Sequence, residues 1–357
     1  MPARTLLYVG SYTHESATGI HVYDASDPGG RLVELSRHDG IEHPSFLAVH
    51  PSAEVLYAVS ETAGPDGGEL VALGAGPVDG SLRELDRVPS RGTAPCFVSI
   101  DRAARSVYVA NYLSGSVAAY ALRHDGRFGE LIAAHQHRGA GPSARQEGPH
   151  AHCIVPGPAG DRVYSADLGT DRVGQYAHDR HTDPEEFRLE AELVLDAACG
   201  PRHLAFHPER PVGFLVCELD STIVMLGLDS TNGRLTRLGS QSTLPDDFDG
   251  ESTAAEVRVH PNGRYVYVST RGHDSIAVFG FVGEGEPLEP LGHVPSGGRT
   301  PRNFAVHPSG STLLVANQDS DTIVAFDVDA STGVPRRRDI TQMVSEPVCL
   351  TFSESVR

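Results

Sequence analysis

One unit recurs along this chain about every 50 residues: a short apolar strand, a tight turn, and a second apolar strand ending in a polar residue. Six copies are complete: PSFLAVHPSAEVLYAVSE (44–61), PCFVSIDRAARSVYVANY (95–112), HCIVPGPAGDRVYSADL (152–168), PRHLAFHPERPVGFLVCEL (201–219), AEVRVHPNGRYVYVSTRG (255–272) and PRNFAVHPSGSTLLVANQ (301–318). A seventh, EPVCLTFSES (346–355), stops after its first strand, and the missing partner, TLLYVGSYT (5–13), stands at the other end of the chain. A repeat cut open and shared between the two termini predicts a closed ring, because pairing the terminal segments removes the open end of a linear array.

Two more strand-like segments follow each pair. The third alternates apolar and polar residues, as in GSVAAYAL or DTIVAFDVD, and the fourth is more polar, as in SLRELDRV or PRRRDITQ. Alternation suits a half-buried strand, and the polar segment suits an outer edge. Four antiparallel strands repeated seven times predict an all-β, seven-bladed β-propeller spanning 1–357 as a single domain, its closing blade shared between about 5–38 and 346–353. No stretch has a helical period. The longest irregular pieces, 137–150 and 242–255, each precede an innermost strand and should overhang the same face.

A net charge of −18 argues against nucleic acid or an anionic membrane surface as a partner. No run approaches the ~20 apolar residues of a membrane-spanning helix. The N-terminus enters a strand at once, without the regions of a signal peptide. Five cysteines, odd in number and lacking a CxxC, read as small buried hydrophobes in a reducing cytoplasm. The expectation is a cytoplasmic monomer or weak homo-oligomer.

The first strand's start and the second strand's end lie 15 residues apart in six copies: Ser45/Ser60, Cys96/Asn111, His152/Asp167, Arg202/Cys217, Ala255/Thr270 and Arg302/Asn317. Hairpin pairing should set these side by side around one mouth of the central channel. That ring collects His150, His152, Arg202, His203, Glu256, Arg302 and Asn303 from strand starts. From strand ends it collects Glu61, Asn111, Tyr112, Asp167, Glu218, Arg271 and Gln318, with His273 and Asp274 just beyond. Strand stability does not call for such a set. The His-Pro turns (His50, His207, His260, His307) recur once per blade at the far rim and read as turn residues, not as a metal set.

His150 and His152 form an HxH at strand spacing, which would allow a metal with Asp167 or Glu218 as third ligand; no further Cys/His pattern completes it, and acid/base or hydrogen-bonding roles fit better. Arg202, Arg271 and Arg302 converge from three blades. They read either as ion-pair partners of Glu218, Glu256 and Asp167 or as an anion site, for which a planar guanidinium fork is suited. Glu218 reads equally as a positioned base or as a counterion, and Asp167 as a structural bridge.

YVGSYT (8–13), GPHAH (148–152), ADLGTDRV (166–173), GPRHLAFHP (200–208), CELDST (217–222), VRVHPNGRYVYVSTRGHDSIAVF (257–279) and TPRNFAVHPSGSTLLVANQDSDTIVAF (300–326) carry a resemblance covering nearly the whole chain. The chain resembles the seven-bladed propeller lactonases, which include 6-phosphogluconolactonases of the cycloisomerase-2 type and carboxy-cis,cis-muconate lactonising enzymes. The resemblance implies an active site at the mouth located by counting, with its His, two Arg and Glu falling on His150 or His152, Arg202, Arg271 and Glu218. Thr270 and Cys217 stand where the family usually has Asn before these last two.

The function implied is hydrolysis of a sugar-acid lactone, 6-phosphogluconolactone in the pentose phosphate pathway. His152 or Glu218 would activate water, Arg202 and Arg271 would stabilise the oxyanion, and Arg302 and Asn303 would hold the anionic group of a small phosphorylated or carboxylated substrate. Glu61, Asn111, Asp167, Glu256, His273 and Asn317 would complete the binding surface, with no metal or cofactor. Alternatives are a muconate-type cycloisomerisation and a non-catalytic binding scaffold.

Overall fold

Short runs rich in Val, Ile, Leu, Tyr and Ala, broken by Gly and Pro turns, have no alternative to pairing in sheets, because none is long enough to bury its backbone alone. The computed structural model describes residues 4–353 except 15–17, 28, 53, 65, 77 and 179–186; the last residues of the seventh copy lie outside them. It holds seven four-stranded antiparallel sheets, and the helical structure among the described residues is one three-residue 3₁₀ turn, Gln318–Ser320. The closing blade, here blade 1, has the order Pro347–Phe352, Leu6–Ser11, Thr18–Asp24, Val33–Asp39. Blades 2 to 7 follow as 47–89, 95–136, 151–194, 201–242, 253–295 and 301–343, each running in chain order from an inner strand outward. Second strands such as Val55–Ser60 and Thr312–Asn317 are buried throughout, whereas fourth strands such as Arg188–Val194 alternate or face solvent.

The repeated turn residues latch neighbouring blades. In His207 the turn's own amides (Glu209 and Arg210) donate to Nδ1, and Nε2 lies 2.9 Å from the Gly263 carbonyl of the next blade. His260 repeats this toward Gly310 at 2.8 Å. Tyrosines of the second strands add a second latch: Tyr57, Tyr164 and Tyr267 donate to the carbonyls of Gly126, Gly233 and Gly333 at 2.7, 2.6 and 2.8 Å. His50 and His307 instead hold their own turns, through Ser52 and Ser309.

The register departs from simple counting. Pro95 pairs with Asn111, Ala151 with Asp167, Pro201 with Cys217, and Pro301 with Asn317, sixteen residues apart and not fifteen. The next pairs are Phe97 with Ala110, Cys153 with Ala166, His203 with Val216 and Asn303 with Ala316. One extra residue therefore stands unpaired in each inner strand: Cys96, His152, Arg202 and Arg302. Blade 1 has the same irregularity at Val348, and blade 6 at Ala255–Glu256. A bulge bends its strand and re-aims the extra side chain. Strand Thr253–Val259 also begins inside the piece expected to be irregular up to 255.

Candidate active site

Two sets of side chains meet at one mouth of the channel. The first is the bulge residues Val348, Cys96, His152, Arg202 and Arg302, which with Ser45 and Glu61 wall a small blind pocket. The second is the residue following each second strand. Tyr12, Glu61, Tyr112, Glu218 and Gln318 donate their amides back to the segment leading into the inner strand they pair with, at Glu346, His43, Ala94, Gly200 and Thr300 respectively. This shared bond carries them past the sheet toward the axis. The floor is aromatic: Phe46 stacks on Phe97 at 4.1 Å, and the His203 ring stands edge-on to both at 5.6 and 5.1 Å. Beyond it lies the separate funnel of the far rim, lined by His50, His207 and Arg258.

Glu218 is the hub of the charged residues. Its Oε2 is 2.9 Å from Arg202 Nε and 3.0 Å from Arg271 Nη2, and its Oε1 accepts from Arg145 Nη1 at 2.7 Å. Burial raises the proton affinity of the carboxyl, but the guanidiniums of Arg271, Arg202 and Arg145 outweigh it and hold it well below its usual range. Arg271 also donates to the carbonyls of Thr253 and Ala254, and Arg202 to that of Ala255. Burial lowers Arg271, to about 10, against the pull of Glu218. Glu218 is therefore an ionised anchor, with guanidiniums against both of its oxygens.

His152 is buried, with its Nδ1 3.8 Å from Cys96 Sγ and its ring edge-on to Tyr112 and His203. Burial, Arg202 and His203 hold it well below its usual value, so it stays neutral and open to a proton. Opposite it, Glu61 accepts from Ser45 Oγ and, at 3.3 Å, from the Tyr12 hydroxyl, which in turn receives Arg302 Nη2 at 3.0 Å. Burial raises Glu61 even though Arg302 pulls the other way.

The remaining expected site residues divide. His150 is adjacent but turned away: it stacks on Tyr112 at 4.5 Å, its Nδ1 meets the Tyr112 carbonyl at 3.0 Å, and its Nε2 faces Glu147 at 3.3 Å. The bulge at His152 breaks the alternation that would have aimed both imidazoles together. Among the described residues no group of three or more His, Cys, Asp or Glu is arranged to hold a metal. Asp167 accepts the amides of His150 and Gly169 and the Nδ1 side of His137, all at 2.9 Å or less. Asn111 and Asn317 donate to the carbonyls of Ser90 and Ser296. Asn303 borders the pocket, but its amide is occupied at both ends, by Glu256 and by the Leu350 amide. Glu256 lies under the floor between His203 and Arg258. His273 bonds Ser275 Oγ at 2.7 Å and packs on Phe248, outside the pocket.

Arg145 escaped the sequence reading because it belongs to no repeat. The irregular piece 137–150 was expected to overhang the mouth, and Arg145 is one of its two arginines. Tyr12 escaped as an ordinary member of a quoted segment, and Ser45 was set at the mouth by the hairpin spacing without being singled out.

A family model described as "Lactonase, 7-bladed beta-propeller" matches residues 6–352. The chain belongs to this lactonase family. It is 31% identical over 356 residues to a 6-phosphogluconolactonase of Bacillus subtilis, covering 98% of each protein. Among solved structures it resembles a periplasmic gluconolactonase of Pseudomonas aeruginosa, with a TM-score of 0.92, 27% identity and 99% coverage of both chains. A protein from Lactobacillus plantarum matches with a TM-score of 0.90 at 30% identity, covering 98% of this chain and all of that one. In this lactonase all five cysteines are free and buried. Among the described residues no helix is long and apolar enough to cross a membrane.

Proposed function

We propose that this lactonase hydrolyses the ring ester of a sugar-acid lactone, with 6-phosphoglucono-δ-lactone as substrate and 6-phosphogluconate as product. The observation that carries the reading is the blind pocket in which neutral His152 faces the buried guanidinium of Arg202, itself held by Glu218. Water placed against His152 loses a proton to the imidazole as its oxygen bonds the lactone carbonyl. The oxyanion forms beside Arg202 and Arg302, where fixed positive charge in a site shielded from water stabilises it most. Burial makes the resulting imidazolium a strong acid, so it passes its proton to the ring oxygen as the C–O bond breaks. Glu218 acts as the ionic anchor that positions Arg202 and Arg271 and not as the base, because three guanidiniums occupy its oxygens. No step requires a metal. The free, buried cysteines suit a reducing cytoplasm.

The test is hydrolysis of 6-phosphoglucono-δ-lactone by the purified protein, followed by acid release above the spontaneous rate with and without chelator. Chelator-resistant turnover supports the reading. Turnover at the spontaneous rate, or abolished by chelation, removes it, and loss of absorbance with a carboxymuconate would indicate cycloisomerisation in its place.

A further inference from the structure

The three arginines on Glu218 are not equivalent. Arg202 is buried and Arg271 mostly so; they share Oε2 and are tied to backbone carbonyls besides. Arg145 is half-exposed and contacts Oε1, and among the described residues its guanidinium otherwise bonds the Tyr112 hydroxyl, at 3.1 Å. The backbone beneath it is fixed. Its neighbour Gln146 is fully buried, donating to the Leu168 carbonyl at 2.8 Å and to Asp171 at 2.7 Å, and accepting from the Ser143 amide at 3.1 Å. A side chain with two side-chain partners on a pinned backbone can change partner without moving the loop.

The charge count gives it a reason to. Around the mouth stand four guanidiniums (Arg145, Arg202, Arg271, Arg302) against two carboxylates (Glu61 and Glu218). Within the ring itself, inside Glu147 at its outer edge and above Glu256 beneath the floor, guanidiniums outnumber carboxylates, and His152 and His203 are held neutral. Glu218 keeps two arginines without the third.

We infer that Arg145 docks the remote phosphate of the substrate, leaving Glu218 Oε1 for the phosphate oxygens, and so makes the enzyme select phosphorylated over unphosphorylated lactones. This deepens the lactonase reading and rests on it. Tyr112 sets the spacing: Arg145 holds its hydroxyl end, and His152 lies against its ring. The phosphate then sits one aromatic ring from the catalytic imidazole, as the two ends of a six-carbon lactone require. A guanidinium fork fits phosphate bidentately, which an ammonium does not.

The experiment compares kcat and KM for 6-phosphoglucono-δ-lactone and glucono-δ-lactone in the parent protein, Arg145→Ala and Arg145→Lys. Arg145→Ala should lower the preference for the phosphorylated lactone roughly tenfold to hundredfold, the range of a lost charge-assisted hydrogen bond, and mainly through KM. Arg145→Lys should recover part of it. An unchanged preference in Arg145→Ala, or no preference in the parent protein, overturns the inference while leaving lactone hydrolysis standing. Calorimetric titration with 6-phosphogluconate and gluconate separates the two ideas. If the parent protein turns over neither lactone, the functional reading fails, yet tighter binding of 6-phosphogluconate that disappears in Arg145→Ala still supports phosphate docking. Equal binding of both acids by the parent protein overturns it.

Discussion

At the scale of single residues, charge rather than shape separates the two mouth carboxylates. Glu218 neutralises buried Arg202 and partly buried Arg271, so Glu218→Gln should cost about 3–5 kcal/mol, the usual penalty for stranding a buried charge. Glu61→Gln should cost about 1 kcal/mol, because burial already pushes Glu61 toward its neutral form. Urea unfolding of both variants checks the order, and a reversal would remove Glu218 as the anchor. The imidazoles set a pH dependence. His152 and His203 are depressed from an ordinary value of 6.5, both first by burial, so the unfolded chain takes up their protons first. Their contribution is full above about pH 6.5 and is lost as pH falls toward 5, at up to about 1.4 kcal/mol per pH unit for each. Glu61 and Glu256 are raised and work in the opposite sense, offsetting part of that loss at the acid end. His203 faces Arg202, Glu256, Arg258 and Arg302. Replacing it with Gln should flatten the stability-against-pH slope by about one proton's worth, and equal slopes would contradict its neutral state. Arg202, Glu218 and Arg302 were legible in the sequence as polar residues where the copies disagree. Asn111 and Asn317 stand at the same point of their copies and make the same local bond, to the Ser90 and Ser296 carbonyls, while Asp167 at that point accepts the His150 amide. Arg145 was illegible because an irregular loop carries no period against which a residue stands out.

At the scale of strands and turns, the sequence spacing gave the hairpin register to within one residue and missed the bulge that shapes the mouth. Counting assumes one residue opposite one, and a bulge breaks that assumption where Cys96, His152, Arg202 and Arg302 leave the ladder. Nothing in an apolar strand pattern marks a bulge, since the flanking Pro residues fit either register. The outer hairpins are more readable. Gly333 has a φ of 71°, receives the Tyr267 hydroxyl, and would place a new Cβ 2.3 Å from the Tyr265 ring. Gly239, in strand Leu235–Ser242, has open space around it. Gly333→Ala should therefore lower stability by about 2 kcal/mol or more, combining backbone strain with a damaged latch, while Gly239→Ala should be neutral or slightly stabilising. Denaturation midpoints of the pair check this, and similar losses in both would show that the latch geometry does not matter.

At the scale of the whole molecule, stability depends on closing the ring, and closure depends on which strands are neighbours and not on where the chain begins. Leu6–Ser11 pairs on one side with Pro347–Phe352 and on the other with Thr18–Asp24, and the ends meet where the Leu6 amide donates to Ser353 Oγ at 2.8 Å and the Ser353 amide to the Leu6 carbonyl at 2.8 Å. Removing 346–357 strips blade 1 of its innermost strand. It bares the edge of Leu6–Ser11 and uncovers Leu7 and Val9, which share a core cluster with Leu350 and are both 0% exposed in the intact ring. Such a chain should aggregate or unfold well below the intact protein's midpoint, because an unpaired apolar edge invites association. A circular permutant tests the same point without deleting anything. Joining residue 357 to residue 1 and opening the chain between Glu284 and Gly285, in an exposed turn of blade 6, keeps every strand pair while moving the termini. The permutant should retain the parent circular dichroism spectrum, its lactone turnover, and a midpoint within a few degrees, while the truncated chain loses all three. If the truncated chain is as stable as the permutant, blade 1 contributes no closure and the shared repeat is only a relic of the sequence.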